Sequence, residues 1–235
     1  LAADLAREAG LLLLGLRDRG GVIDRGADGD KLAHEFLIDA LGRERPEDNV
    51  VSEEGRASRN RSRLRTWLID PLDGTREFRE GRWDWTVHVA LATGEDVIAG
   101  AVSLPMRGLT LATPVVATRR HGVRPRRVVV SRTRPPSIAA EVARRLDAQL
   151  IQMGSAGAKV LSVVLGETDV YLHSGGQYEW DSAAPVAVAA AAGLHTSRID
   201  GSRLIYNRAD PWMPDIVVCR AELAAAVLDA VARSL

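Results

Sequence analysis

The sequence predicts a mixed α/β protein in two halves: helices against a mostly antiparallel sheet over residues 1–120, then alternating strands and helices over residues 121–235. Three observations carry this. Leu5, Ala9, Leu12, Leu13 and Leu16 recur at helical spacing among charged residues, the mark of an amphipathic helix. Trp85, Val87, Val89 and Leu91 alternate with Thr86, His88 and Ala90, the period of a strand packed on one face. After Pro125, short apolar runs alternate with helical ones as in an α/β unit.

The elements follow in order. A Gly-rich break ends the first helix, and Asp30 precedes Leu32, Ala33, Phe36, Leu37 and Leu41, which predicts a second helix with Asp30 at its N-cap or first turn and Pro46 beyond its end. Val50 and Val51 lead as a short strand into the acidic loop Ser52-Glu53-Glu54-Gly55, and an Arg-rich, exposed stretch reaches to about Arg65. Thr66-Trp67-Leu68-Ile69-Asp70 reads as a strand that Pro71 stops. Strands are expected again at 97–104 and 109–117, with the boundary between halves in the basic turn at 118–125. The second half predicts a strand at Val128-Val129-Val130, a helix at 137–147, strands at 149–153 and 168–173 around a helix at 158–165, and an Ala-rich helix from about Asp181.

Composition narrows the class. The 235 residues are 46% hydrophobic and 26% charged, which excludes disordered and collagen-like chains. Lys+Arg and Asp+Glu both number 31, so the net-charge footprint of a nucleic-acid polymer or polybasic membrane binder is missing. No apolar run reaches the roughly 18 residues of a membrane span, and no basic region precedes a cleavage site, so a cytoplasmic location is expected. Cys219, in the run Ile216-Val217-Val218-Cys219, has no partner for an internal disulfide and reads as a buried core residue.

The chemistry concentrates in Asp70-Pro71-Leu72-Asp73-Gly74-Thr75 at the end of an apolar strand. A chain of this length matches that pattern by chance on the order of once in a few thousand sequences. Two carboxylates three apart across a tight turn converge on hard cations, and the Leu72 carbonyl offers a neutral oxygen ligand. Gly74 lets the backbone approach a phosphate, and the Thr75 hydroxyl is placed to position water. Further acids are Glu53 and Glu54, and Asp181, where a helix N-terminus adds positive partial charge. An Asx-type turn with solvated acids is the competing reading.

Ser52-Glu53-Glu54, Asp70 to Thr75 and Trp180-Asp181-Ser182-Ala183-Ala184 occur in that order. In them the chain resembles the inositol monophosphatase-like, metal-dependent, lithium-sensitive phosphatases over essentially its whole length. The resemblance implies a five-layered α/β/α/β/α sandwich of the inositol monophosphatase/fructose-bisphosphatase type, with the site between its halves. It implies two or three Mg²⁺: Glu53, Asp70 and the Leu72 carbonyl on the first ion, Asp70, Asp73 and Asp181 on the second, with Glu53 reaching a third. Thr75 and Asp30 match the residues that activate the attacking water, with Glu53 the further catalytic carboxylate. The metals would neutralise a phosphate dianion that otherwise repels its nucleophile, and no covalent phosphoenzyme is needed.

Arg76-Glu77-Phe78 after the turn resembles the 3′(2′),5′-bisphosphate nucleotidases of the bacterial CysQ type, as do Ser131-Arg132, Gly154-Ser155 with Lys159, and Leu204-x-Tyr206. What this implies is hydrolysis of the 3′-phosphate of adenosine 3′,5′-bisphosphate, or of its 5′-phosphosulfate relative, giving AMP, in sulfur assimilation. Asp73, Gly74, Thr75, Ser131, Arg132, Ser155, Lys159 and Asp181 form the expected substrate site. A second phosphate calls for Ser155, Lys159 and one or more of Arg132, Arg134 and Arg198, and Tyr178 or Tyr206 is available to pack on adenine. The expected partner is a small phosphorylated nucleotide, with no nucleic-acid polymer and no membrane; a homodimer stays open. The alternatives are an inositol monophosphatase or broad sugar-phosphate phosphatase, and a catalytically silent metal-phosphate binding protein.

Overall fold

The protein is described as a computed structural model over residues 1–18, 25–56, 64–114 and 126–235. Its first sheet joins β1 (Asn49–Ser52), β2 (Gly55–Arg56), β3 (Arg65–Asp73), β4 (Thr86–Thr93), β5 (Asp96–Leu104) and β6 (Leu109–Ala112) in the order β2-β1-β3-β4-β5-β6. Only the β1–β3 pairing is parallel. The second sheet joins β7 (Arg126–Ser131), β8 (Ala148–Met153), β9 (Val170–Tyr178), β10 (His195–Ser197) and β11 (Trp212–Cys219) in the order β10-β11-β9-β7-β8. Here β7 runs parallel to both neighbours and the other pairings are antiparallel.

Three apolar clusters stack the elements into five layers. Leu5, Ala9 and Leu13 of α1 (Ala2–Asp18) and Leu37 and Leu41 of α2 (Arg25–Glu44) pack on Trp67, Ile69, Val87 and Val89. The opposite face of that sheet, with Leu68, Ala90 and Val102, meets Leu161 of α5 (Ala156–Val164) and Ala183, Ala184 and Val188 of α6 (Glu179–Ala191). Val129, Ile216 and Val218 of the second sheet close this central cluster. The far face of the second sheet, including Val128, Leu172 and Cys219, is covered by α4 (Ala139–Arg145) and α7 (Ala224–Ala232). Cys219 is buried as expected, and burial pushes its thiol up to about 12.

Several local expectations are corrected. The second helix begins at Arg25, so Asp30 lies inside it; the Gly-containing lead-in is drawn into the helix, where Gly29 packs closely on Leu13, Leu72 and Phe78. Pro71 does not end its strand: β1 pairs only as far as Ile69, and a bulge between Asp70 and Asp73 leaves the proline outside the ladder, so its missing N–H costs nothing there. β4 is buried on both faces, because α1 covers one and α6 the other. β6 spans Leu109–Ala112, residues 115–117 of the expected strand lie outside the described residues, and α6 starts at Glu179, which places Asp181 in its first turn. The Arg-rich stretch at 57–63 and the basic turn at 118–125 lie outside the described residues, and Arg65 belongs to β3, paired with Asp48 at 2.8 Å.

Candidate active site

The end of β3 carries the first acids. Asp70 is fully buried; its Oδ1 accepts from the Leu72 N–H at 3.1 Å, and its Oδ2 has no partner among the described residues. Past the bulge, Asp73 Oδ2 accepts from Ser155 Oγ at 2.6 Å and from the Gly157 N–H at 2.8 Å. Gly74 then turns at φ +97°, a conformation that glycine adopts without strain, and starts the short helix α3 (Thr75–Arg79). Asp181 arrives from across the interface between the sheets, its Oδ2 accepting from the Tyr178 N–H at 2.6 Å.

Asp70, Asp73 and Asp181 bring ligand oxygens within 4.8 Å of one another, and Glu53 joins them around one cleft of about 320 Å³. Ionised carboxylates that close repel by roughly 3–4 kcal/mol per pair at an effective dielectric of about 20. Burial and this repulsion raise the pKa of three of the acids, Asp70, Asp181 and Glu53. Burial, then the Glu53 and Asp73 charges, raises Asp70 well above its ordinary value. Burial and Asp73 push Asp181 to about 7, and desolvation followed by the charges of Asp30 and Asp73 pushes Glu53 to about 7. Hard oxygen donors, mutual repulsion and an orphaned buried carboxylate oxygen together fit a divalent cation such as Mg²⁺.

Thr75 Oγ1 has two acceptors in reach, the Leu72 carbonyl at 3.2 Å and Asp30 Oδ1 at 3.4 Å. Asp30 is buried behind Thr75 and does not line the cleft. Leu72, Gly74, Ser131, Ser155 and Lys159 do line it. Ser155 caps α5, accepting from the Ala158 N–H at 3.0 Å. Lys159 is buried, donates to the carbonyls of Gly154 at 2.9 Å and Ser155 at 2.6 Å, and lies over the Tyr171 ring; burial lowers its pKa to about 8.

Other expected substrate contacts lie elsewhere. Arg132 is absent from the cleft wall, because its guanidinium is spent on Glu77 and Glu80, and Arg134 lines the cleft instead. Arg198 pairs with Asp215 beside a separate cavity. Tyr206 is core, its hydroxyl 3.3 Å from Ser182 Oγ, and Tyr178 stacks on Trp180 outside the cleft.

The sequence reading missed four polar residues. Thr86 and His88 looked like the solvent face of β4, yet both are fully buried. His88 Nδ1 stands 3.1 Å from the Trp180 carbonyl, which can only accept, so Nε2 accepts from the Thr86 hydroxyl at 2.8 Å and Ser155 is left to donate to Asp73. Gly157 makes this network possible, since a Cβ there would stand 2.2 Å from His88 Nε2. His173 and Gln177 of β9 also line the cleft, each with a buried ring or amide nitrogen that has no partner among the described residues. The only advance signal was polar residues inside apolar strands.

The family description "Inositol monophosphatase family" matches residues 2–233. The 3′-phosphoadenosine 5′-phosphate phosphatase of Mycobacterium leprae (strain TN) is 48% identical over 246 residues, covering 97% of this chain and 91% of that protein. The 3′(2′),5′-bisphosphate nucleotidase CysQ of Escherichia coli (strain K12) is 33% identical over 199 residues, covering 78% of this chain and 80% of its own. Among solved structures, CysQ from Bacteroides thetaiotaomicron superposes with a TM-score of 0.77 at 26% identity, over 93% of this chain and 95% of the other. The inositol monophosphatase-II of Staphylococcus aureus MSSA476 reaches 0.80 at 20% identity, over 96% and 92%. With a matching fold, a matching family description and an acidic cleft between the two sheets, the chain belongs to the inositol monophosphatase family.

Proposed function

We propose that this protein is a Mg²⁺-dependent phosphomonoesterase that removes the 3′-phosphate of adenosine 3′,5′-bisphosphate, with its 5′-phosphosulfate analogue as a second substrate. The observation that carries the reading is the similarity to 3′-phosphoadenosine 5′-phosphate phosphatases at 46–48% identity over nearly the whole chain. In this reading Glu53, Asp70, the Leu72 carbonyl, Asp73 and Asp181 would hold two or three Mg²⁺. When bound, the ions supply positive charge that neutralises the phosphate dianion and stabilises the departing alkoxide.

The remaining steps belong to the chain. With the Leu72 carbonyl engaged as a ligand, Asp30 is the acceptor left to the Thr75 hydroxyl, and Thr75 Oγ1 can then accept a hydrogen bond from the attacking water. Water adds to phosphorus as the P–O3′ bond breaks; its proton passes through Thr75 towards Asp30, and the 3′-oxygen leaves as an alkoxide that takes a proton from solvent water to give the 3′-hydroxyl of AMP. The α5 donors Ser155 and Gly157 fix Asp73, so the acid keeps its place as charge develops. Ser131, Ser155, Lys159 and Arg134 serve the rest of the substrate, the cation of Arg134 meeting the second phosphate.

The division of the chain near residue 120, a cytoplasmic location, a role in sulfur assimilation and a homodimer belong to the same proposal. Among the described residues no helix is long and apolar enough to cross a membrane. The test is product analysis: adenosine 3′,5′-bisphosphate with Mg²⁺ should yield AMP and phosphate, and chelation should stop the reaction. No AMP under these conditions, with phosphate released from inositol 1-phosphate, would replace the reading by the inositol phosphatase one.

A further inference from the structure

Arg76-Glu77-Phe78 marks the turn in sequence, and the structure gives Glu77 a physical task. Glu77 is 5% exposed, two residues after Thr75 on α3, and Arg132 stands just past β7, outside the cleft wall. Arg132 Nε donates to Glu77 Oε1 at 2.7 Å and its Nη2 to Glu80 Oε2 at 2.5 Å. The arginine's own N–H donates to the Met153 carbonyl at 3.0 Å, next to Gly154. Glu77 lies flat on that glycine, where a Cβ would stand 2.2 Å from Glu77 Cγ. A second tie crosses the same seam: the Gly154 N–H donates to the buried Asp84 at 2.6 Å, and Arg82 holds Asp84 with two bonds of 2.7 Å.

We propose that Glu77 and Arg132 are positioning residues that set which phosphate ester the site prefers, by clamping the 131–134 segment against the turn that carries Thr75. Thr133 and Arg134 follow Arg132 directly and line the cleft. A wall held in place before binding avoids the ordering cost of a loose one, and that saving reaches only a substrate that touches the wall. A nucleotide with a second phosphate does so. An ester whose single phosphate occupies the acidic centre has no anion for Arg134 to meet. The fork of Arg132, already filled by two carboxylates, is not the phosphate ligand itself.

The inference rests on the bisphosphate-nucleotide reading, and a double-mutant cycle separates the two. Wild type, Glu77→Gln, Arg132→Gln and the double variant are compared by steady-state kinetics, with circular dichroism checking the fold. The clamp predicts that KM for adenosine 3′,5′-bisphosphate rises about tenfold in each single variant and no further in the double, because coupled residues are not additive. On inositol 1-phosphate KM should move by at most about twofold, since neither residue belongs to the converging acids Asp70, Asp73 and Asp181, although Glu77 lines the same cleft. Should Arg132→Gln fail to fold, Glu77→Gln, which keeps the shape of the side chain, and Arg132→Lys decide by the same rise. A KM that rises in Arg132→Gln but is unchanged or lower in Glu77→Gln would make Arg132 a direct ligand and overturn the clamp, as would additive losses. If the wild type instead prefers inositol 1-phosphate, the functional reading fails, and additive losses on that ester would overturn the clamp separately.

Discussion

Replacing Asp73 by Asn separates the two tasks that the structure gives this carboxylate. On its inner side Oδ2 accepts from Ser155 and Gly157; on its outer side it faces Asp70 and Asp181. An Asn that turns its oxygen inward keeps both bonds but without charge. Hydrogen bonds to charged groups contribute about 1.5–3 kcal/mol and neutral ones about 0.5–1.5, so the two together lose roughly 2 kcal/mol. Relief of repulsion among the remaining acids acts in the opposite direction. The metal-free variant should therefore melt at most about 8 °C below wild type, taking about 2–4 °C per kcal/mol for a chain of this size. Its amide N–H₂ then points at the cation site, so the Mg²⁺-induced rise in melting temperature and the phosphatase activity should both disappear. Thermal melts with and without Mg²⁺, paired with phosphate release, read both sides. A folded variant that keeps most of its turnover, or its full Mg²⁺ shift, would refute the reasoning.

Thr75→Ala and Asp30→Asn should each lower kcat by about 10²–10⁴-fold with little change in KM, the range of general-base help. An Asp30→Asn variant with wild-type kcat would move the base elsewhere, towards Glu53. Asp181 and Glu53 are raised to about 7 from ordinary values of 3.8 and 4.5. Raised carboxyls stabilise the fold fully below those ordinary values and lose that contribution as pH rises through about 7. The chelated protein should accordingly melt lower at pH 8 than at pH 5, and the Mg²⁺-induced shift should be larger at pH 8; the opposite trends would contradict the clustered-acid picture. Gly157→Ala places a Cβ 2.2 Å from His88 Nε2 and 2.4 Å from Thr86 Oγ1, both on the buried strand β4. Overpacking of this kind costs about 1–3 kcal/mol. The displaced helix should also weaken Mg²⁺ binding by drawing the Gly157 N–H from Asp73, so wild-type stability and Mg²⁺ titration would count against the network.

The turn from Asp70 to Thr75 is legible because acids, glycine and hydroxyl keep a fixed spacing along one short segment; β3, β4 and β5 are legible from their apolar residues, while the layering follows only from the resemblance to the family. What the sequence hid was the other side of each element. Period-two alternation in β4 suggests one wet face, whereas α6 covers it and turns Thr86 and His88 into buried partners of the site. Pro71 looks like a stop because sequence does not show that β1 has already ended beside Ile69. Arg132 and Glu77 are far apart in the chain, and no local pattern reveals that one would consume the other. Lys159, four residues after Ser155, was recognisable as a cation near the site, but its hold on the carbonyls of Gly154 and Ser155 depends on the tight entry to α5.

The most direct test of the account is the ratio of kcat/KM for adenosine 3′,5′-bisphosphate to that for inositol 1-phosphate, measured on the wild-type protein with Mg²⁺. Both esters present one phosphate to the same acids, so any preference comes from the opposite wall of the cleft. One charge-assisted contact of the second phosphate contributes about 1.5–3 kcal/mol, which predicts a ratio of about one to two orders of magnitude in favour of the nucleotide. Equal efficiencies, or a preference for the inositol ester, would contradict it.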